Sequence, residues 1–256
     1  MSLQIAILSP SSPDVSGFTL HSSQIKSHQS DSDLDRLVMD LERVTVRLEP
    51  ADPGVDWKAW LINTEEIEPY DIYSGILKME VTADMVPTGC DPDQRKVVGR
   101  CELWLVLREK MRHEGFELQV DRISETASWL SEEIFTTNGN FRAREFGFTT
   151  GKVFGLDLEK GDMIWLEKIW VDKEYRYHGI AKKMLRHAHD TIQAEVDSCF
   201  IITYPKPLPG ETDPEASRKE RYEAVWGPFR KMGFHRIGAS AYFLYVPGSL
   251  IFSAFN

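Results

Sequence analysis

The sequence predicts an α/β layer fold. Over roughly the final hundred residues, apolar runs and helical stripes follow one another as strand, helix, strand, helix, strand, strand. That order needs at least one parallel crossover between neighbouring strands. Upstream, residues 76–81 and 97–107 alternate or mass apolar side chains around a turn-rich stretch, the pattern of an antiparallel pair. A chain of 256 residues, 42% hydrophobic and 27% charged, buries a core without a disulfide or metal staple.

The elements follow in chain order. Ten of the first 32 residues are serine, interleaved with Pro10, Pro13, Asp31 and Asp33, so residues 1–35 are expected to be a poorly ordered or surface-lying arm. The remainder, 36–256, is expected to form one domain. Val38, Val44, Val46 and Leu48, alternating with Arg43, Thr45 and Arg47, predict a strand that Pro50 and Asp52-Pro53-Gly54 end. Residues 57–62 suit a short strand or a helical turn equally. After the paired strands, Ile123, Ala127, Leu130 and Ile134 share one face of a helix predicted over 121–135, with Asp121 or Ser124 as its N-cap. Asn138, Gly139 and Asn140 begin a loop, with a possible strand, that extends to residue 160. Residues 163–171 are then a strand, 180–196 a helix, and 200–204 a short buried strand. A loop marked by Pro205, Pro207 and Pro209 leads to a helix over 215–232, entered through Asp213-Pro214 and kinked at Gly227-Pro228. Strands at 235–237 and 242–246 close the pattern.

Thirty Lys and Arg against forty Asp and Glu leave a net charge of −10, which argues against nucleic acid as a partner because phosphate binding needs clustered cations. Cys90, Cys101 and Cys199 form no CxxC pair; reduced thiols in a cytoplasmic protein are expected, the nucleus being a second compatible compartment. No run of about 18 apolar residues suits a transmembrane helix, so no membrane partner is expected. Leu3–Leu8 is apolar but lacks the basic flank and length of a signal core. His187 and His189 point to opposite sides of a helix and cannot share a metal. Trp57, Trp60, Trp104 and Trp129 are expected mostly in the core.

The chemistry is concentrated between Asp162 and His189. A strand ending at Val171 is followed by a short link and Arg176-Tyr-His-Gly-Ile-Ala181, inside which a helix begins. Ile180, Met184, Leu185, Ala188 and Ile192 make its apolar stripe. Lys182, Lys183 and Arg186 near its start oppose the helix dipole, an arrangement that makes sense if an anion sits there. Gly179 lets phosphate oxygens approach the backbone, Ala181 keeps the approach open, and Arg176 offers a charged donor.

Arg-x-x-Gly-x-Ala after a strand and opening an amphipathic helix resembles the coenzyme A pyrophosphate loop of the GNAT superfamily of acetyl-CoA-dependent N-acetyltransferases. Phe229-Arg-Lys-Met-Gly-Phe234 and the strand carrying Tyr242 and Phe243 look like that superfamily's last helix and closing strands. The resemblance covers the final hundred residues well and the first 150 in outline. It implies a mixed, largely antiparallel central sheet with helices on both faces, here preceded by an N-terminal extension. The helix-bearing insertion between Leu107 and Met163 departs from the superfamily's usual strand-to-strand succession, and it is expected to cover the acceptor cleft as a lid. It implies acetyl-CoA as cofactor, held by main-chain groups of Ile169, Trp170 and Val171 and by Arg176, Tyr177, His178, Gly179, Ile180, Ala181 and Lys182. No metal is implied.

The implied reaction is direct attack of a small-molecule or peptide amine on the acetyl thioester. Glu167 is the candidate base, where the superfamily often places a glutamate, with an ion pair to a neighbouring cation as the competing role. Alternation predicts Trp165, Glu167, Ile169 and Val171 on one face, and Leu166, Lys168 and Trp170 on the other. The tyrosine that many relatives use to protonate the departing thiolate is Phe229 here, and the asparagine often found after the following strand is replaced in Thr203-Tyr204-Pro205. Tyr204, Tyr222, Tyr242 or water is left for the acid role. The alternative to an enzyme is a non-catalytic coenzyme A-binding sensor or interaction module on the same fold.

Overall fold

Alternating apolar and polar side chains draw the chain into strands that join one sheet. The computed structural model describes residues 41–63, 75–87, 90–91, 93–111, 115–142, 158–207 and 217–245. Among these the sheet has seven strands: β1 (Val44–Pro50), β2 (Ile76–Met85), β3 (Lys96–Val106), β4 (Asp162–Val171), β5 (Cys199–Thr203), β6 (His235–Arg236) and β7 (Phe243–Tyr245). Their spatial order is β1-β2-β3-β4-β5-β7-β6. Only β4 and β5 run parallel; the other neighbours are antiparallel. The mixed, largely antiparallel sheet matches the expected architecture.

The helices are α1 (Trp57–Asn63), α2 (Arg108–Met111), α3 (Phe116–Val120), α4 (Glu125–Ser128), α5 (Leu130–Glu133), α6 (Ile180–Gln193) and α7 (Arg218–Met232). They divide between two cores, one on each sheet face. On the first, the α6 stripe of Ile180, Met184, Leu185, Ala188 and Ile192 packs with Val81, Leu103, Ile164, Leu166 and Ile201. Burial of each of the larger side chains contributes about 1.5–3 kcal/mol. The helix lies close because β3 offers Gly99 beneath it: a Cβ there would come within 3.0 Å of Met184 Cε and 3.3 Å of the Trp170 carbonyl oxygen. On the second face, Met163, Trp165, Phe200 and Ile202 meet Phe116, Val120, Ala127, Leu130 and Ile134 from the short helices.

Arg108 is fully buried at the entry to β4. Its Nε donates to the Gly161 carbonyl (3.0 Å) and its Nη1 to the Leu158 carbonyl (2.6 Å). Its guanidinium carbon lies 5.3 and 5.4 Å from the Phe135 and Phe200 ring centres. Carbonyls and aromatic faces thus take over from water around a buried charge.

Several expectations are corrected. Residues 57–62 belong to a helix. The helix expected over 121–135 is instead α4 and α5 preceded by α3, because Ser124 is extended (φ −171°, ψ 160°) and restarts the helix as the N-cap of α4. The expected β2 continues four residues past Val81, pairing with β1 along its added length. α7 starts at Ser217 through a capping box with Glu220, not through Asp213-Pro214. The arm over 1–35, Val38, most of the loop between 143 and 157, and Asp213-Pro214 lie outside the described residues. Trp57 is buried, and Trp60, Trp104 and Trp129 are partly buried against the cores. Among the described residues no helix is long and apolar enough to cross a membrane.

The expected alternation along β4 fails at one residue. Glu102 of β3 pairs with Lys168 and Leu103 pairs with Leu166, so Glu167 has no partner across this ladder. This is a β-bulge, which shifts the phase of every side chain after it. Ile169 and Val171 therefore pack on the α6 face with Ile164 and Leu166, rather than sharing a face with Trp165.

Candidate active site

The parallel pairing of β4 with β5 is short. It runs from Asp162↔Cys199 to Trp165↔Ile202 and stops, while β4 continues to Val171. At the point of divergence the Thr203 hydroxyl donates to the Leu166 carbonyl (2.8 Å), closing the base of the gap. Beyond it lies a cleft of about 390 Å³. Leu166, Glu167, Lys168 and Ile169 of β4 form one wall, the Thr203–Pro207 segment another, and Glu102 and Phe229 complete it. The bulge and the early end of the parallel ladder together open the sheet here.

Glu167 sits on that wall with its side chain 25% exposed. Its Oε2 accepts from Trp165 Nε1 (2.6 Å) and from the Ser124 hydroxyl (2.8 Å). Its Oε1 lies 3.8 Å from Lys206 Nζ. Both competing roles expected for Glu167 thus have a physical counterpart: a carboxylate at the cleft, and a cation beside it. Lys168, the neighbour in sequence, turns instead to Glu102 (3.6 Å).

The tyrosines separate clearly. Tyr204 lines the cleft, its ring edge-on to Tyr242 (5.5 Å) and to Trp129 (6.1 Å). Tyr242 is fully buried and does not line the cleft; its hydroxyl donates to the Thr126 carbonyl (2.9 Å). Burial, then the nearby Glu133 carboxylate, drives its pKa far upward. Tyr242 is therefore a core residue, correcting its place among the candidate acids. The Tyr222 side chain lies outside the described residues. Phe229 is buried on the cleft, where a hydroxyl was missed from the sequence.

The outer end of β4 leads into the glycine loop. Asp172 caps a 3-10 turn at Lys173–Tyr175 by accepting from the Glu174 amide. Lys96 at the start of β3 fastens this turn: its Nζ lies 3.2 Å from Asp172, 3.4 Å from Glu174 and 4.8 Å from the Tyr175 ring centre. The hydrogen bond from Lys96 holds the Asp172 carboxyl below its ordinary pKa. Arg176 turns its Nε to the Val171 carbonyl (2.9 Å). That contact engages one of the Arg176 donors expected for an anion and one lone pair of a carbonyl expected for the cofactor arm.

The next residues reverse the chain. Tyr177 adopts φ 67°, the only positive φ outside glycine among the described residues, and its side chain is 96% exposed. Gly179, at φ 82° and ψ 4°, is the N-cap of α6; no side chain caps this end, and its first turn holds no acidic residue. Backbone in that region disfavours any residue with a Cβ. A Cβ at Gly179 would have only Leu41 within 4 Å, at 3.5 Å, so the glycine is required by conformation and by bare access rather than by packing. Ile180 is buried, Ala181 half-buried and Lys182 exposed, while His178 is half-buried. Lys183 is turned away: its Nζ donates to the Leu41 (2.6 Å) and Val44 (2.7 Å) carbonyls, fixing the 3-10 turn Leu41–Arg43 against α6. The structure thus keeps Lys182, and not Lys183, as the exposed cation of this turn.

Ser124, Trp165 and Lys206 were missed as site residues. Ser124 had a signal only as a helix cap, and it reaches Glu167 across 43 positions. Lys206 lies in a proline-rich loop whose course no periodicity predicts. The thiols of Cys101 and Cys199 are buried; burial raises both pKa values, that of Cys199 to about 12, which suits inert core residues. Among the described residues no group of His, Cys, Asp and Glu is arranged to hold a metal.

No protein-family model matches the sequence, and no curated protein matches it. Among solved structures, the chain is similar to Arabidopsis thaliana NAA60 in complex with acetyl-CoA, at 14% identity over 80% of this chain and 100% of that chain, with a TM-score of 0.35. It is also similar to a mutant of KacT, at 9% identity over 79% of this chain and 94% of that chain (TM-score 0.34). A KacTA–DNA complex matches at 9% identity over 79% of this chain and 92% of that chain (TM-score 0.33).

Proposed function

We propose that the chain is an acetyl-CoA-dependent N-acetyltransferase acting on a primary amine. The observation that carries this reading is the opening between β4 and β5: a carboxylate stands on its wall, and the strand that forms the wall leads to an uncapped, glycine-opened helix start. Amides at such a start favour a diphosphate, and the exposed Lys182 adds a cation beside it. The bare backbone at Gly179 fits that group because, among the described residues, only Leu41 would come within 4 Å of a Cβ there. The outer half of β4, including Ile169 on the cleft, offers main-chain groups to an extended pantetheine arm.

Acetyl-CoA, when bound, supplies an acyl carbon made electrophilic by its thioester. Glu167, directly or through water, takes the proton that the attacking amine must lose as its nitrogen bonds to that carbon. The carbon–sulfur bond then breaks, and the sulfur leaves with a proton from the cleft. With Phe229 unable to donate and Tyr242 engaged in the core, Tyr204 on the cleft, Tyr222 or water remains for the donor role. The acceptor is a small-molecule or peptide amine, and a cytoplasmic setting accords with the reduced cysteines.

The buried Phe229 favours one other reading, a coenzyme A-binding module without turnover. Thiol release from acetyl-CoA, followed against polyamines, amino sugars, amino acids and lysyl or N-terminal peptides, separates the two. The enzyme reading expects release that requires an amine and yields an amide. Tight binding with no release favours the module, and neither binding nor release ends both.

A further inference from the structure

We infer that Ser124 is a positioning residue for Glu167, holding the carboxylate so that Oε1 takes the amine proton. The inference rests on the reading of Glu167 as the base and goes beyond it by assigning a role to the segment between β3 and β4.

Three contacts carry it. Oε2 of Glu167 accepts two short hydrogen bonds, from the Ser124 hydroxyl (2.8 Å) and the Trp165 indole (2.6 Å). A carboxylate oxygen has two in-plane lone pairs, and both are engaged here, so an incoming proton goes to Oε1. Oε1 faces Lys206 at 3.8 Å, beyond hydrogen-bond distance. Ser124 is itself held on two sides. As the N-cap of α4 its Oγ accepts from the Ala127 amide (3.3 Å), and the Thr126 hydroxyl lies 3.4 Å away. Its single hydroxyl hydrogen is directed to Glu167 while its lone pair serves the helix. Trp165 is 1% exposed, so the second donor is fixed by the core. The bulge at Glu167 has a purpose in this arrangement: it leaves the carboxylate on the side of Trp165 and Ser124 while the following residues turn to α6.

The charged groups around Glu167 are Lys206 on the Thr203–Pro207 segment, Lys168 on its own strand and Glu102 on β3, with the Tyr204 hydroxyl on the same cleft. Glu125 on α4 and Glu132 and Glu133 on α5 belong to the neighbouring elements, the last two acting on Tyr242. None of these changes when Ser124 is replaced. The two donors on Oε2 fix the plane of the carboxylate, so losing one lets the group turn and takes Oε1 out of line with the incoming amine.

The test is Ser124→Gly, because glycine caps a helix start nearly as well as serine but donates no side-chain hydrogen bond. Two readouts are taken: kcat against KM for acetyl-CoA, and the Trp165 indole proton resonance, which reports the hydrogen bond to the same carboxylate oxygen. kcat is expected to fall about 10-fold, the size of one hydrogen bond to a charged group, with KM for acetyl-CoA unchanged, and the indole resonance is expected to shift; Ser124→Thr restores both. If both stay in place in Ser124→Gly, the inference is overturned. If the wild type transfers no acetyl group but the indole resonance still shifts, the positioning contact stands and the acetyltransferase reading fails.

Discussion

Replacing Gly179 by aspartate is expected to weaken coenzyme A binding by more than about 100-fold while the protein stays folded. Two effects combine. The residue sits at φ 82°, a conformation that costs residues bearing a Cβ about 1–2 kcal/mol. Aspartate tolerates it better than most, so the fold survives. Electrostatics dominates the loss: a carboxylate about 4 Å from a phosphate charge is repelled by about 4 kcal/mol at the dielectric of a protein surface, more than a 100-fold change requires. Gly179→Ala separates the terms. Its Cβ would meet only Leu41, at an ordinary 3.5 Å, so it should lower stability by the conformational cost alone, about 1–2 kcal/mol, and affect binding far less. Calorimetric titration of both variants, with thermal unfolding as the check on folding, measures the difference. Equal affinities for the wild type and Gly179→Asp would place the diphosphate elsewhere.

The second large effect is on turnover. Glu167→Gln should lower kcat by about 100-fold or more, the usual contribution of a positioned general base. The substitution keeps the shape of the side chain and an oxygen that can accept from Trp165 and Ser124. Coenzyme A affinity should therefore be unchanged, since Glu167 lies on the cleft wall and not at the helix start. A kcat close to that of the wild type near neutrality would assign Glu167 to its other contact, the ion pair with Lys206.

The parts of the molecule legible in the sequence are those set by local periodicity. The α6 stripe reads directly because Ile180, Met184, Leu185, Ala188 and Ile192 recur at the helical period, and all five are buried. β2 and β3 read as an antiparallel pair for the same reason. What failed was set by one residue or by distant partners. The helix periodicity across 121–135 is genuine, yet Ser124 leaves the helical region and breaks it, because its side chain is more useful as a cap. Within β4, aromatic and aliphatic residues stand on both sides of Glu167, so no hydrophobic pattern signals the bulge that reverses the faces of Ile169 and Val171. Tyr242 could be placed on a closing strand, but its hydroxyl partner, Thr126, lies 116 positions away. Ser217 and Glu220 did spell a capping box, and the neighbouring Asp213-Pro214 offered a competing start. The candidate site divides likewise. Its glycine loop is a contiguous motif, whereas its carboxylate clamp is assembled from separate elements.

The most direct test follows the backbone amides of Gly179, Ile180, Ala181 and Lys182 by two-dimensional NMR while coenzyme A is added. Hydrogen bonds from this helix start to the diphosphate should shift these signals together along one saturable curve, reaching an end point as the protein fills. Saturation that leaves these amides in place, or the lack of any saturable binding, would contradict the account.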